Sequence, residues 1–489
     1  MADSRRLKPP AKGTPIGTNA DGSFHIPDDP IIPYIEGDGV GRDIWRASVR
    51  VFDAAVQRLF GDARRIEWYP LPAGETCKAA GLGDEAYGGY ISEETFAAIR
   101  QYRVAIKGPL TTPVGGGIRS LNVMLRQKLE LYCGYRPVFW MDGMPSPLRR
   151  PDLVNLHLFR ETTEDVYAGF EWRSGSEGAR KLIEQVNREI VPLEGDPTSR
   201  LLPDDSGVGI KVVSPAGCAR VQRMALQWAL ANPHPDPTRN SLTWVHKGNL
   251  MKWTEGLFKQ TGYALAASGF RAQTVSERES WILGNLEAGV NGPLENARTI
   301  EPGFDQMPAD AQAAVVQEVN DAMTLQPTHG DGKWKRMLLV KDRLADTFFQ
   351  QVLTRPQDFY AVCAMNQNGD YISELAAAQT GGLGMAPGAN IGDGMIVAET
   401  THGSAPRYAD KDVINPGSMI LSGAIMFDWL GKEWASCGRM IREAVKSTIR
   451  SGVVTFDLHR SMVEEGRQDA RKVKCSEWAD EVIANLRAE

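Results

Sequence analysis

Between Lys107 and Arg126 stand one lysine, two arginines (Arg119 and Arg126), three hydroxyls (Thr111, Thr112 and Ser120) and the amide of Asn122, around a glycine triplet at 115–117. Two more arginines, Arg136 and Arg160, follow. Guanidinium forks grip carboxylates through paired hydrogen bonds, each contributing roughly 1.5–3 kcal/mol when shielded from water. Glycine removes side chains where a ligand would meet backbone. The set suits a small polyanion, although any one of these arginines taken singly fits a solvated surface equally well. Acids are grouped elsewhere. Asp370 and Glu374 lie four apart, as do Asp342 and Asp346, and on a helix that spacing stacks carboxylates on one face. Such a pair is often only a solvated face. Two helices each offering one would instead make an oxygen-rich site for a hard cation such as Mg2+ or Mn2+, and no His or Cys grouping points to zinc.

The elements that must carry these residues follow from hydrophobic period. Residues 31–35 read as a buried strand, and a helical pattern runs from Asp43 to about Phe60. Glycines 37, 39 and 41 stand between them, which invites a dinucleotide fingerprint. The third glycine comes one residue early, and a tight turn into a helix is the better reading. The cluster Gly382-x-Gly384-x-x-Pro387 fails the same test. Strands are expected at 102–106, 241–246 and 359–365, a helix at 308–323, and irregular chain over 165–213, rich in turns at 192–207.

Composition bounds the rest. A chain of 489 residues implies two or three structural units. The net charge of −6 argues against a general nucleic-acid binder and leaves room for a local positive cluster. The six cysteines are scattered, with no Cys-x-x-Cys pair, as reduced thiols would be. Residues 1–22 lack the apolar core of a signal peptide and read as a disordered or surface-bound arm. No stretch is long and apolar enough to span a bilayer.

Five stretches occur in order: Ile32-Pro33-Tyr34-Ile35-Glu36-Gly37-Asp38-Gly39-Val40-Gly41, the Lys107–Arg126 segment, Val245-His246-Lys247-Gly248-Asn249, Asn368-Gly369-Asp370-Tyr371-Ile372-Ser373, and Thr401-His402-Gly403-Ser404-Ala405-Pro406. Together they resemble the NADP-dependent isocitrate dehydrogenases of the bacterial homodimeric type, from about residue 30 to the C-terminus. The resemblance implies an α/β fold of the isocitrate/isopropylmalate dehydrogenase kind, not a Rossmann fold. It implies an N-terminal arm (1–29), a large domain (30–131 and 381–489), a small domain (132–164 and 214–380) and a clasp (165–213) that interlocks two subunits. Residues 271–332 depart from the family as an insertion, expected to be a surface elaboration or an extra dimer contact.

The same resemblance implies oxidative decarboxylation of isocitrate to 2-oxoglutarate with NADP and a divalent ion, Mg2+ or Mn2+, in a cytoplasmic homodimer with shared active sites. Tyr167 and Lys247 match the acid–base pair, although each taken alone reads as a core tyrosine and a surface lysine. Substrate contacts match at Ser120, Asn122, Arg126, Arg136 and Arg160, with Lys107 and Thr112 close by. Metal ligands match at Asp346 and Asp370, with Glu374 where the bacterial pattern has aspartate. Lys247 and Asp346 are expected to enter the site from the partner. Cofactor contacts match at Val40, Thr111, His402, Gly403, Ser404, Ala405, Pro406, Arg407, Tyr408, Asn415 and Arg460. Phe456 replaces a tyrosine there, and Arg407 stands where relatives have lysine. In bacterial relatives the position of Ser120 is phosphorylated by a regulatory kinase, and a phosphate there would repel the substrate. Sister enzymes acting on isopropylmalate or homoisocitrate differ at the positions of Ser120 and Asn122. A non-catalytic subunit of the same fold would have lost the acids, Tyr167 or Lys247.

Overall fold

The computed structural model describes residues 7–19, 24–112, 120–191 and 201–487; the glycine triplet and Arg119 lie outside the described residues, as does much of the 192–207 stretch. Eleven strands form one mixed sheet without barrel closure. In chain order they are β1 (Ile31–Ile35), β2 (Glu67–Pro70), β3 (Val104–Lys107), β4 (Cys133–Phe139), β5 (Asn155–Glu161), β6 (Ser241–His246), β7 (Thr274–Ser276), β8 (Leu338–Leu344), β9 (Ala361–Ala364), β10 (Pro387–Gly392) and β11 (Met395–Thr400). The order across the sheet is β7-β8-β6-β9-β5-β4-β10-β11-β3-β1-β2. Five parallel strands make one wing and four the other, and β4 and β10 join them as antiparallel neighbours. Inner wing strands such as β3, β6 and β9 are buried at every position rather than alternately, as expected for a parallel sheet covered on both faces.

The helices that matter for the site are α1 (Gly41–Phe60), α2 (Leu121–Lys128), α3 (Ala309–Met323), α4 (Ala345–Thr354), α5 (Asn366–Ala378) and α6 (Phe456–Glu464). α1 buries Ile44, Trp45, Val51, Phe52 and Ala55 on one face, as its sequence period predicts. The glycines before it serve packing. Gly39 has φ +56°, and a Cβ there would fall 2.0 Å from the Ser404 carbonyl oxygen. The Val40 N–H donates to that same carbonyl at 2.9 Å. The turn thus locks two loops together.

Most predicted elements fall where the period puts them, with three differences. The stretch expected to be irregular, 165–213, holds a helix, Glu177–Gln185, capped by Ser176 and burying Ala179 and Ile183. Tyr102 belongs to a preceding helix, Glu93–Tyr102, whose buried face also holds Phe96 and Ile99. Asp342 and Asp346 do not share a helix. Asp342 lies on β8, opposite Trp244 of β6, and only Asp346 lies in the first turn of α4. The buried Leu338 and Val340 commit this segment to the sheet.

The predicted helix at 308–323 is α3. With two neighbouring helices it encloses a small core of Ile282, Ala297, Ile300, Phe304, Val315 and Val319. Arg278 clamps it through Glu301 and Glu318, at 2.9 and 2.7 Å. The described part of the N-terminal arm is bound to the body: Ile16 is buried in the main apolar core, and the Ile31 N–H donates to the Thr14 carbonyl at 3.1 Å. All six cysteines are free and buried. No described helix is long and apolar enough to cross a membrane.

Candidate active site

A cleft of about 270 Å3 opens beside the joint of the sheet. It is lined by Lys107, Ser120, Asn122, Arg126, Arg136, Arg160, Tyr167, Asp370, Glu374 and His402, together with Glu399 and Thr400. Strand pairing explains the gathering. Lys107 ends β3 and Glu399 is the penultimate residue of its parallel neighbour β11, so the two stand directly opposite one another. On β4 and β5, Gly134 faces Arg160, so Arg136, two residues on, shares its face. Gly388 on β10 makes room, since a Cβ there would lie 2.3 Å from Arg136 Nη1.

Glu399 went unnoticed in the sequence, where a lone buried glutamate in an apolar strand carries no motif. Its carboxylate is 2% exposed and meets Lys107 at 3.0 Å, Arg126 at 2.8 Å and Arg136 at 2.5 Å. Burial favours its protonation, but the three cations outweigh burial and hold its pKa well below the usual carboxylate range. Burial pulls Lys107 and Arg136 down, against the pull of Glu399. Arg160 is lowered to about 10, by burial and then by Arg126. Four cations thus share Glu399 and Asp370 as their ion-pair partners among the described residues, which leaves the cleft positive.

Arg160 pairs with Asp370 and also donates to Asn366 Oδ1 at 2.8 and 3.0 Å. Tyr167 donates to Asp370 Oδ2 at 3.0 Å. Its pKa is pushed up to about 12, by burial first and the Asp370 charge second. Glu374, one turn further along α5, is raised by burial and then by repulsion from Asp370. Two acids one helical turn apart, with Asp370 already paired to Arg160, suit a divalent ion. Three polar atoms of this cleft are buried without a hydrogen-bond partner among the described residues: Asn122 Oδ1, Thr400 Oγ1 and His402 Nε2.

Lys247 and Asp346 lie outside this cleft. They follow the ends of β6 and β8, adjacent parallel strands, and meet each other at 2.5 Å. Asp346 is 65% exposed at its side chain, and its pKa is lowered chiefly by its bond to Lys247. Among the described residues no three His, Cys, Asp or Glu side chains converge as a metal site. The chain alone therefore brings Asp370 and Glu374 together, but not Asp346. Asp342 is a structural acid, bonded by His246 Nε2 at 2.9 Å and Tyr263 at 2.7 Å.

The predicted cofactor residues divide. Thr111 donates its hydroxyl to Ser404 at 2.8 Å, joining the two loops. Gly403, Pro406, Arg407 and Arg460 are exposed. The Arg407 guanidinium lies 5.8 Å from the Tyr408 ring, and Phe456, at the start of α6, lies 5.7 Å from it. Ala405 holds the turn at φ 38°. Val40 is fully buried, so it offers the Ser404 loop its N–H and no side-chain surface for an adenine. Asn415 is also buried, donating to Asp457 at 3.0 Å and accepting from the Gly417 N–H at 2.8 Å. It braces α6. Thr112 reaches Ser120 only at 3.4 Å, and Ser120 starts α2.

The family model for isocitrate/isopropylmalate dehydrogenases matches residues 31–482. The NADP isocitrate dehydrogenase of a Nostoc species is 47% identical over 484 residues, covering 98% of this chain and 99% of that protein. That of Archaeoglobus fulgidus is 41% identical, covering 99% of each. Among solved structures, an isocitrate dehydrogenase from Methylococcus capsulatus aligns over 94% of this chain and all of its own, with a TM-score of 0.64 at 28% identity.

Proposed function

The chain belongs to the isocitrate/isopropylmalate dehydrogenase family, and we propose that its cleft holds isocitrate between the Lys107–Arg126–Arg136–Arg160 group and Tyr167, with a second copy of the chain completing each site. The activity is the NADP-dependent oxidative decarboxylation of isocitrate, with a divalent metal. The sister substrates isopropylmalate and homoisocitrate are not favoured, and neither is a non-catalytic role. The observation that carries the residue assignment is the excess of buried positive charge beside Tyr167 and Asp370.

Arg126, Arg136 and Arg160 take the three carboxylates, and Ser120 and the unpartnered Asn122 Oδ1 orient the ligand, with Lys107 and Thr112 beside them. Asp370 and Glu374, with Asp346 of the partner subunit, would hold the divalent ion, Mg2+ or Mn2+. When bound, the ion supplies Lewis acidity that polarises the substrate hydroxyl and stabilises enolate charge. Lys247 of the partner subunit would accept the proton of the substrate hydroxyl, and NADP, when bound, would supply the hydride acceptor for the carbon that bears it. The β-keto acid then releases CO2, and Tyr167 donates the proton that completes 2-oxoglutarate. Thr111 and residues 402–408, with Arg460 and Phe456, form the NADP surface, with Val40 and Asn415 bracing it from behind.

The homodimer reading is supported by Asp346, exposed and away from the cleft it would serve. The large domain (30–131 and 381–489) and small domain (132–164 and 214–380) are supported by separate apolar cores, one around α1 and the C-terminal helices and others within residues 132–376. Residues 165–213 are the proposed clasp. A kinase acting on Ser120 would put a dianion at the mouth of the cleft and exclude isocitrate. Free buried thiols suit a reducing compartment, and we assign the enzyme to the cytoplasm. The test is NADPH absorbance on adding isocitrate with Mg2+. Turnover of isopropylmalate in its place would refute the reading.

A further inference from the structure

We propose that Lys211 is a positioning residue that ties together the turn bearing Tyr167 and the turn bearing Lys247, so that the Lys211 of each subunit serves both active sites of the dimer. The inference rests on the reading that Lys247 works in the site of the partner.

Lys211 lies between two acids that water hardly reaches, Asp165 at 0% and Glu255 at 1% exposure. Its ammonium pairs directly with Asp165 Oδ1 and with Glu255 Oε1 at 2.8 Å. Among the described residues no other cation forms an ion pair with either acid.

Each acid holds one catalytic turn. Asp165 has φ +71°, a conformation unfavourable for a residue with a Cβ. Its carboxylate stabilises that turn by accepting the Val166 N–H at 2.7 Å, and Tyr167 is the next residue. Glu255 Oε2 accepts the Lys247 N–H at 3.1 Å. The same two acids hold the start of α5: Asp165 accepts the Gln367 N–H, and Glu255 accepts from Asn368, both at 3.0 Å. One ammonium therefore cross-links the Tyr167 turn, the Lys247 turn and the helix carrying Asp370. Burial works against the Lys211 charge, but the two carboxylates outweigh it and raise its pKa, so it stays protonated at neutral pH. Without it, two buried carboxylates would be left unpaired and repelling, and both turns would lose their anchor. A shift of about 1 Å in a catalytic group costs roughly a hundredfold in rate.

Mixed dimers test this. Pairing a Tyr167→Phe chain with a Lys247→Met chain leaves one intact site, built from Tyr167 of the second chain and Lys247 of the first. Lys211→Met is then added to one chain at a time. Placed on either chain, it should lower kcat about 10–100-fold while the KM for isocitrate changes less than about threefold. Lys211→Arg, which can still bridge two carboxylates, should restore most of the rate. Thermal midpoint and dimer content of each mixture report folding separately, and Lys211→Gln replaces the methionine variant should that chain fail to assemble. Loss of kcat only when the change sits on the chain supplying Tyr167 would overturn the proposal. So would an unchanged kcat, or a fall in thermal midpoint with both Met and Arg and no split between kcat and KM. An inactive parent mixture would instead refute the shared-site reading itself.

Discussion

Replacing Glu399 with glutamine tests whether the cleft is held together by one buried anion. The shape is kept and one charge is removed from among Lys107, Arg126 and Arg136. The amide oxygen still accepts from an arginine, at about half the strength of a charge-assisted bond. The amide nitrogen would face the Lys107 ammonium, 3.0 Å from where Oε2 stands, so a donor meets a donor. Leaving buried cations uncompensated costs about 3–5 kcal/mol, and the retained bond places the expectation near the lower end. The folded pKa of Glu399 is depressed, so its stabilisation is complete above the ordinary carboxylate value of about 4.3 and is lost only as pH falls through the folded value. The difference between variant and parent should therefore be constant at neutral pH and shrink in strong acid. Isocitrate brings three carboxylates to the same cations. Urea unfolding with and without saturating isocitrate should thus show a large deficit for the free variant and a much smaller one for the complex. A variant as stable as the parent, or a deficit that isocitrate leaves untouched, would show that Glu399 is not the counter-ion of the substrate cations.

Arg407→Asp with Tyr408→Ile should move preference from NADP towards NAD, read as the ratio of kcat/KM for the two cofactors; an unchanged ratio would remove both residues from the 2′-phosphate site. Tyr167→Phe keeps the ring against Arg160 and removes only the hydroxyl. Its kcat should fall about 10²–10⁴-fold with isocitrate affinity nearly intact, and a normal kcat would exclude it as the proton donor. Titration calorimetry should find that Mg2+ tightens isocitrate binding and that isocitrate tightens Mg2+ binding by the same factor, whereas independent affinities would contradict the arrangement of Arg160 and Asp370.

The candidate cleft was legible in the sequence because each motif that lines it is a contiguous chemical statement. A lysine and arginines around glycines, or two acids one turn apart, can be read without knowing what lies opposite. Glu399 could not be read that way. Its role comes from β11 lying beside β3, which puts it against Lys107, and from the β4–β10 pairing that brings Arg136 alongside. Asp342 misled for a related reason. Four-residue spacing implies a shared face only within one helix, and the strand ends at Leu344, between the two acids. Val40 and Asn415 matched a binding pattern, yet both are buried and act as braces behind the surface. Lys211 carried no signal at all, since both of its partners lie more than forty residues away in sequence.

On the proposed assignment, the pairing of Arg160 with Asp370 couples substrate binding to metal binding. In the free chain these two neutralise each other, and Tyr167 adds its hydroxyl to the same carboxylate. A tricarboxylate alone would draw Arg160 away and leave Asp370, 35% exposed at its side chain, without its cation beside Glu374. A divalent ion alone would draw Asp370 away and leave Arg160, 4% exposed, facing Arg126 and Arg136. Either ligand by itself must therefore break an ion pair and leave one member uncompensated. Both together satisfy every charge, since the carboxylates take the arginines and the acids take the ion. The same exchange relieves Tyr167, whose pKa is raised in part by the Asp370 charge. Cation binding at Asp370 offsets that charge and brings the phenol back towards a range in which it can give up a proton.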